Sequence, residues 1–121
     1  MAKKLIKDIM TPVVAIDSEA SVEEASLYMS SQRAGAILIK ERDEYVGIFT
    51  KADLIIKILE KHLDPASVKV STVMSHPLIS LERTLTIEDA RKMMEKRNIR
   101  HLAVTDQGRV VGLLAVNNLS A

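Results

Sequence analysis

The sequence predicts an α+β fold made of two similar halves that face each other about a pseudo-twofold axis. The first observation is an internal repeat. The segment from Ile9-Met10-Thr11-Pro12 to Gly47-Ile48-Phe49-Thr50-Lys51-Ala52-Asp53-Leu54 returns about 65 residues later as Val73-Met74-Ser75-His76-Pro77 to Gly112-Leu113-Leu114-Ala115-Val116-Asn117-Asn118-Leu119. The second is size, since each copy is too short to close an apolar core alone and two copies on a short link are expected to share one. The third is that each copy alternates strand-like and helix-like stretches in the same order. A groove shared by the two copies is then the first place to seek a ligand.

The first copy is placed at 9–63. Thr11-Pro12 reads as an extended lead-in and Val13-Val14-Ala15-Ile16 as a short strand before the turn-prone Asp17-Ser18-Glu19. Ser21-Val22-Glu23-Glu24 has the form of a capping box and predicts a helix start. Val22, Ala25, Met29 and Gln32 mark its inward stripe. After Gly35, Ala36-Ile37-Leu38-Ile39 is apolar without alternation, as in a strand covered on both faces. Lys40 to Glu44 form the turn, and Tyr45-Val46-Gly47-Ile48-Phe49 the hairpin partner. Thr50 opens a helix toward His62 whose Leu54, Ile55, Ile56, Ile58, Leu59 and Leu63 cover more than one stripe. A second surface is expected to bury the excess, and a homodimer through these helices is the simplest arrangement.

Residues 64–72 are the linker and 73–121 the second copy. Thr86 and Asp89 cap its helix, with Ile87, Ala90 and Met94 facing inward. Leu102-Ala103-Val104 and Val110-Val111-Gly112-Leu113-Leu114 form its hairpin around Asp106-Gln107-Gly108. Leu119-Ser120-Ala121 leaves a final helix that is short or missing.

Composition narrows the function. The 121 residues are 47% hydrophobic and 27% charged, enough to bury an interior. One Phe, two Tyr and no Trp disfavour base stacking, and a net charge of +1 from 17 basic and 16 acidic side chains offers no field for a polyanion. Nucleic acid is therefore not an expected partner. Without cysteine there are no disulfides, thiolate metal sites or Cys nucleophile, and no metal is expected. The opening Met1-Ala2-Lys3-Lys4-Leu5-Ile6-Lys7-Asp8 shows no signal peptide or membrane span, so cytoplasmic residence is the expectation. His62, His76 and His101 are scattered and no nucleophile motif appears, so the chain is not expected to be an enzyme.

Thr50-x-x-Asp53 is, on its own, a plain helix cap. In the second copy Ala115 replaces Thr50 and Asn118 replaces Asp53.

The whole pattern resembles the tandem CBS pair, the module named for cystathionine β-synthase. The resemblance is carried by Asp8-Ile9-Met10-Thr11-Pro12, Val22-Glu23-Glu24-Ala25, Arg33-Ala34-Gly35-Ala36-Ile37, Val46-Gly47-Ile48-Phe49-Thr50-Lys51-Ala52-Asp53-Leu54, Asn98-Ile99-Arg100-His101-Leu102-Ala103-Val104-Thr105-Asp106 and Val110-Val111-Gly112. It implies a β-α-β-β-α unit per repeat, packing through the sheets, often a dimer of pairs, and regulatory binding of AMP, ADP, ATP or S-adenosylmethionine with no cofactor required. It also implies that Thr50 and Asp53 form a ribose-phosphate motif. A carboxylate there accepts from both hydroxyls of a cis-diol, while free helix amides favour phosphate.

Thr11, Pro12 and Val14, with Ala34, Gly35 and Ala36 across from them, are the implied adenine slot, although Gly35 alone also reads as a tight turn. Arg100 and His101 occupy the second copy's version of Gly35-Ala36, so the pseudo-twofold axis is expected to point them toward the first site's phosphates; a loop charge and a packed strand residue are the alternative. Ala115 and Asn118 mark a second, weaker site, because an amide lacks the charge that strengthens a diol bond. A ligand bridging the copies would favour one orientation of them and signal to a separate effector protein. The competing reading is an assembly module with an empty groove.

Overall fold

The computed structural model describes residues 3–120. They form two three-stranded sheets with helices, the α+β class expected. The chain divides into two compact units that are offset from the sequence repeats: a continuous unit, Val14–Leu78, and a split unit formed by Met1–Val13 with Ile79–Ala121.

In the continuous unit β1 (Ala15–Asp17) pairs parallel to β2 (Ala36–Glu41), which pairs antiparallel to β3 (Glu44–Thr50). The crossover from β1 to β2 is α1 (Val22–Gln32). The run 36–39 is fully buried, as an apolar stretch without alternation requires. The strands extend farther into the turn than expected, to Glu41 and from Glu44, because Arg42 takes a left-handed conformation that closes the hairpin in two residues.

Helix α1 begins where Ser21 accepts a hydrogen bond from the Glu24 N–H at 3.0 Å. The reciprocal half of the box differs, since the Glu24 carboxylate accepts from the Ser21 hydroxyl at 3.3 Å and not from its backbone. Val22, Ala25 and Met29 face the core, but Gln32 is exposed. It sits in the last turn, just before Arg33 ends the helix in the left-handed region, and its amide finds water there.

Helix α2 starts at Lys51–Asp53 and continues through Leu54–Leu59 as a wider, π-type winding. Glu60 N–H reaches back five residues to the Ile55 carbonyl (2.9 Å), as Leu63 does to Ile58 (3.0 Å). The helix stops at Leu59, short of the expected His62, which is itself left-handed. Ile58 alone of its large aliphatic side chains is fully buried.

The split unit repeats the plan with β4 (Ser80–Glu82), α3 (Ile87–Arg97), β5 (His101–Asp106) and β6 (Arg109–Ala115), followed by one 3-10 turn, Val116–Ser120, in place of a final helix. Thr86 and Asp89 form the complete capping box expected, with Thr86 N–H to the Asp89 carboxylate at 2.9 Å and Asp89 N–H to the Thr86 hydroxyl at 3.1 Å.

The residues before each β1-like strand belong to the other repeat's sheet. Lys69 bridges Ser21, Val22 N–H donates to the Val68 carbonyl (2.8 Å), and Val70 is buried in the core with Val22, Ile37, Phe49 and Ile58. The N-terminal stretch does the same in the split unit: Leu5 bridges Thr86, Ile87 N–H donates to the Lys4 carbonyl (3.2 Å), and Ile6 is buried with Ala90, Leu102 and Leu114. The stretch read as a linker is therefore core material, and burying a side chain such as Val70 or Ile6 stabilises by about 1.5–3 kcal/mol.

Each stretch then crosses its sheet at a glycine. Ser75 and Ile48 exchange both backbone hydrogen bonds (2.7 and 3.0 Å), as Thr11 and Leu113 do (2.9 Å each). A Cβ on Gly47 would lie 2.6 Å from the Met74 sulfur and 2.8 Å from the Ser75 carbonyl oxygen; on Gly112 it would meet the Met10 sulfur at 2.8 Å and the Thr11 oxygen at 3.0 Å. Gly47 and Gly112 are thus needed for close approach.

Glu82 fixes the β5–β6 turn. Its carboxylate accepts from the Thr105 hydroxyl and from the N–H groups of Gln107 (2.8 Å) and Gly108 (3.3 Å). The Thr105 bond, then the two backbone bonds, hold its pKa below the ordinary glutamate value. Asp89 is likewise lowered, first by the Thr86 backbone bond and then by its hydroxyl.

Two outcomes follow from these contacts. Gly47→Ala and Gly112→Ala are each expected to destabilise the chain by about 1–3 kcal/mol in urea unfolding. Because a lowered carboxylate stabilises the fold above its unfolded pKa and loses that contribution as pH falls through its folded one, melting temperature should drop on acidification below about pH 5. Glu82→Gln should lower it at neutral pH and flatten part of that slope.

Candidate functional site

The mouth of α2 is built by the end of β3 and the start of β2. Thr50 and Ala36 are register partners, and Lys51 N–H donates to the Gly35 carbonyl at 3.1 Å, so Ala34, Gly35 and Ala36 lie beside Thr50. Val14 joins the same sheet, its carbonyl accepting from Leu38 N–H at 2.8 Å. The arrangement thus places Ala34, Gly35 and Ala36 beside Thr50 and Asp53, with Val14 on the other side of β2.

Asp53 is only 7% exposed, and both oxygens of its carboxylate have partners. Oδ2 accepts from Thr50 N–H (3.0 Å) and the Thr50 hydroxyl (3.2 Å), while Asp53 N–H donates back to that hydroxyl (3.1 Å). This is a full capping box, so the plain-cap reading of Thr50-x-x-Asp53 is realised. Oδ1 accepts from the Lys57 ammonium at 3.0 Å, one helical turn on. The Ser75 hydroxyl reaches both oxygens, at 3.0 and 3.3 Å. Lys57 also donates to the Val73 carbonyl at 2.7 Å, tying α2 to the stretch that crosses at Gly47.

Lys57 and Ser75 were not singled out from the sequence. Lys57 carried a signal, standing four residues after Asp53 on a helix, where opposite charges meet. Ser75 carried one only through the repeat, as the counterpart of Thr11.

Thr11 and Pro12 belong to the split unit, and Val14 and Gly35 to the continuous one. Thr11 lies on β6, its hydroxyl donating to the Leu113 carbonyl at 3.3 Å. The cause is the crossing of each lead-in stretch to the other repeat's sheet; in the continuous unit the equivalent place is held by Ser75. In the split unit His101 and Ala115 are register partners and Val116 N–H donates to the Arg100 carbonyl at 2.8 Å. Arg100 and His101 therefore do occupy the position of Gly35-Ala36. Asn118 keeps half of the cap, its side-chain oxygen accepting from Ala115 N–H at 2.8 Å.

An open groove of about 510 Å³ runs between α1 and the start of α2, lined among others by Met29, Arg33, Ala34, Lys51 and Ile55. Its lining shares Ala34 with the predicted slot but does not include Asp53. Among the described residues no group of three His, Asp or Glu side chains could hold a metal ion, and no helix is long and apolar enough to cross a membrane.

Residues 6–60 and 70–120 match the family model of the CBS domain, and the chain belongs to that family. It is similar to the CBS domain-containing protein YhcV of Bacillus subtilis, at 32% identity over 116 residues, 95% of this chain and 82% of YhcV. It is 29% identical over 103 residues to an uncharacterised protein of Methanopyrus kandleri, covering 84% of this chain but only 53% of that relative. The crystal structure of an uncharacterised conserved protein from Pyrococcus horikoshii matches with a TM-score of 0.91 at 26% identity, over 99% of this chain and 92% of that one.

The residual cap in the split unit makes a direct comparison possible. Ala115→Thr should supply the missing hydroxyl, complete the box there and raise stability by about 0.5–1 kcal/mol, read as a higher urea midpoint with an unchanged slope.

Proposed function

We propose that the chain is a regulatory module whose continuous unit holds the ribose of an adenosine compound on Asp53 and passes its occupancy to a separate effector protein. The supporting observation is the Asp53 carboxylate itself. It is a buried anion at a helix mouth, flanked by the small residues Ala34, Gly35 and Ala36, and it already takes hydroxyl donors on both oxygens. The two hydroxyls of a cis-diol are the same kind of donor, and a hydrogen bond to a charged acceptor contributes about 1.5–3 kcal/mol. AMP, ADP, ATP and S-adenosylmethionine all carry that diol.

The frame of the split unit is the same, but Ala115 removes the hydroxyl and Asn118 the charge, so it is the weaker site. The reading is of a binding module without catalytic chemistry, and a reducing cytoplasm suits its cysteine-free composition.

Self-association has its own support. Ile55, Ile56, Leu59 and Leu63 on and just after α2 are 52%, 56%, 53% and 43% exposed, more aliphatic surface in one place than a lone chain usually leaves to water. A homodimer through this face would also account for the chain as an assembly module.

Two measurements test these readings. In a thermal-shift panel, an adenosine ligand at 100 times its dissociation constant should add about 2.7 kcal/mol to the wild type. Asp53→Asn should keep the fold, as Asn118 shows an amide can hold the cap, yet weaken binding at least about tenfold. Equal shifts for both proteins would end the diol reading. Leu59→Glu should move the sedimentation coefficient to that of a monomer; a chain already monomeric at high concentration would dismiss the dimer.

A further inference from the structure

We propose that the Ser75 hydroxyl is a built-in stand-in for one hydroxyl of the ligand's diol, so that filling the site means displacing Ser75 from Asp53. The inference rests on the diol reading of Asp53 given above. Its basis is the pair of hydroxyls already on the carboxylate: Thr50 Oγ1 at 3.2 Å from Oδ2, and Ser75 Oγ at 3.0 Å from Oδ1 and 3.3 Å from Oδ2. Two hydroxyls on one carboxylate are what a cis-diol presents. The protein therefore closes its own site with the chemistry of its ligand.

Of the donors on Asp53, Ser75 is the one that can leave. The Thr50 hydroxyl also accepts from Asp53 N–H, and removing it would open the cap. The Lys57 ammonium is the counter-charge of a buried acid and is held again by the Val73 carbonyl at 2.7 Å. Ser75 is an exposed residue whose backbone is fixed by the double bond to Ile48, so its hydroxyl can swing to water by one side-chain rotation with the main chain unmoved, giving up besides Asp53 only a long bond from the Lys57 ammonium (3.4 Å).

The split unit supplies the contrast. Thr11, which crosses β6 as Ser75 crosses β3, turns its hydroxyl to the Leu113 carbonyl, and the residue in the place of Asp53 there is Asn118. The closing hydroxyl occurs where the acid is. By this reading Ser75 sets the ligand concentration at which the unit fills, because every binding event must first break its bond to Asp53.

Calorimetric titration of AMP and its 2′-deoxy analogue into wild type and Ser75→Ala tests this. The variant retains the backbone bridge, and its melting curve confirms the fold. It should bind AMP about five- to tenfold tighter than wild type, roughly 1 to 1.4 kcal/mol. The deoxy analogue has one hydroxyl to place and can share the carboxylate with Ser75, so its affinity should change by less than about twofold. Ser75→Thr, which keeps a hydroxyl, should behave as wild type. If Ser75→Ala binds AMP no tighter while Asp53→Asn still abolishes binding, the stand-in is wrong and the diol reading survives. An equal gain for both nucleotides would also overturn it. If neither wild type nor Ser75→Ala binds AMP, ADP, ATP or S-adenosylmethionine, the diol reading falls and takes this inference with it.

Discussion

The contact on which the fold depends is the crossing of an extended stretch over a glycine in the sheet edge. At Gly47 and again at Gly112 a methionine sulfur and a main-chain carbonyl occupy the space where a Cβ would stand. One residue along, a pair of backbone hydrogen bonds joins the stretch to the strand, Ser75 to Ile48 and Thr11 to Leu113. A one-residue slip would put a side chain into that space, so glycine fixes the register as well as permitting the contact. The buried anchors Val70 and Ile6 sit a few residues upstream in each stretch and lock it from the other end.

The same crossing builds the site. Bringing residues 73–75 across β3 delivers Ser75 and the Val73 carbonyl to the mouth of α2, where Lys57 and Asp53 meet them. Asp53 consequently does two kinds of work. It caps α2 through Thr50, which needs only an oxygen, and it carries a charge, which the cap does not need; Asn118 performs the first task alone. The acid is buried yet fully partnered, which is the condition under which a charge is tolerated at so little exposure.

Much of this was legible in the chain. The repeat, the cap residues Ser21, Thr86 and Asp89, and the inward stripe Val22, Ala25 and Met29 follow from local periodicity and hydrogen-bonding preference, and these are the features the structure shows. Gln32 was misplaced because spacing alone does not reveal that the helix is about to end at Arg33. The winding of α2 escaped because its composition suits an ordinary helix equally well. The largest gap concerned partners distant in sequence. The strand partner of Thr11, Leu113, lies over a hundred residues away. Ser75 and Lys57 were passed over for the same reason: their value lies in meeting Asp53, and that meeting is a tertiary fact.

One consequence concerns the order in which the molecule can be made. The core cluster of the continuous unit draws its residues from within Val14–Leu78, so those contacts can form while later residues are still being synthesised. The split unit has no such freedom. Ile6 and Thr11 are synthesised about a hundred residues before their apolar and main-chain partners Leu114 and Leu113. Until those partners are made, the stretch around Ile6 has no apolar core of its own to enter and needs shelter from other hydrophobic surfaces.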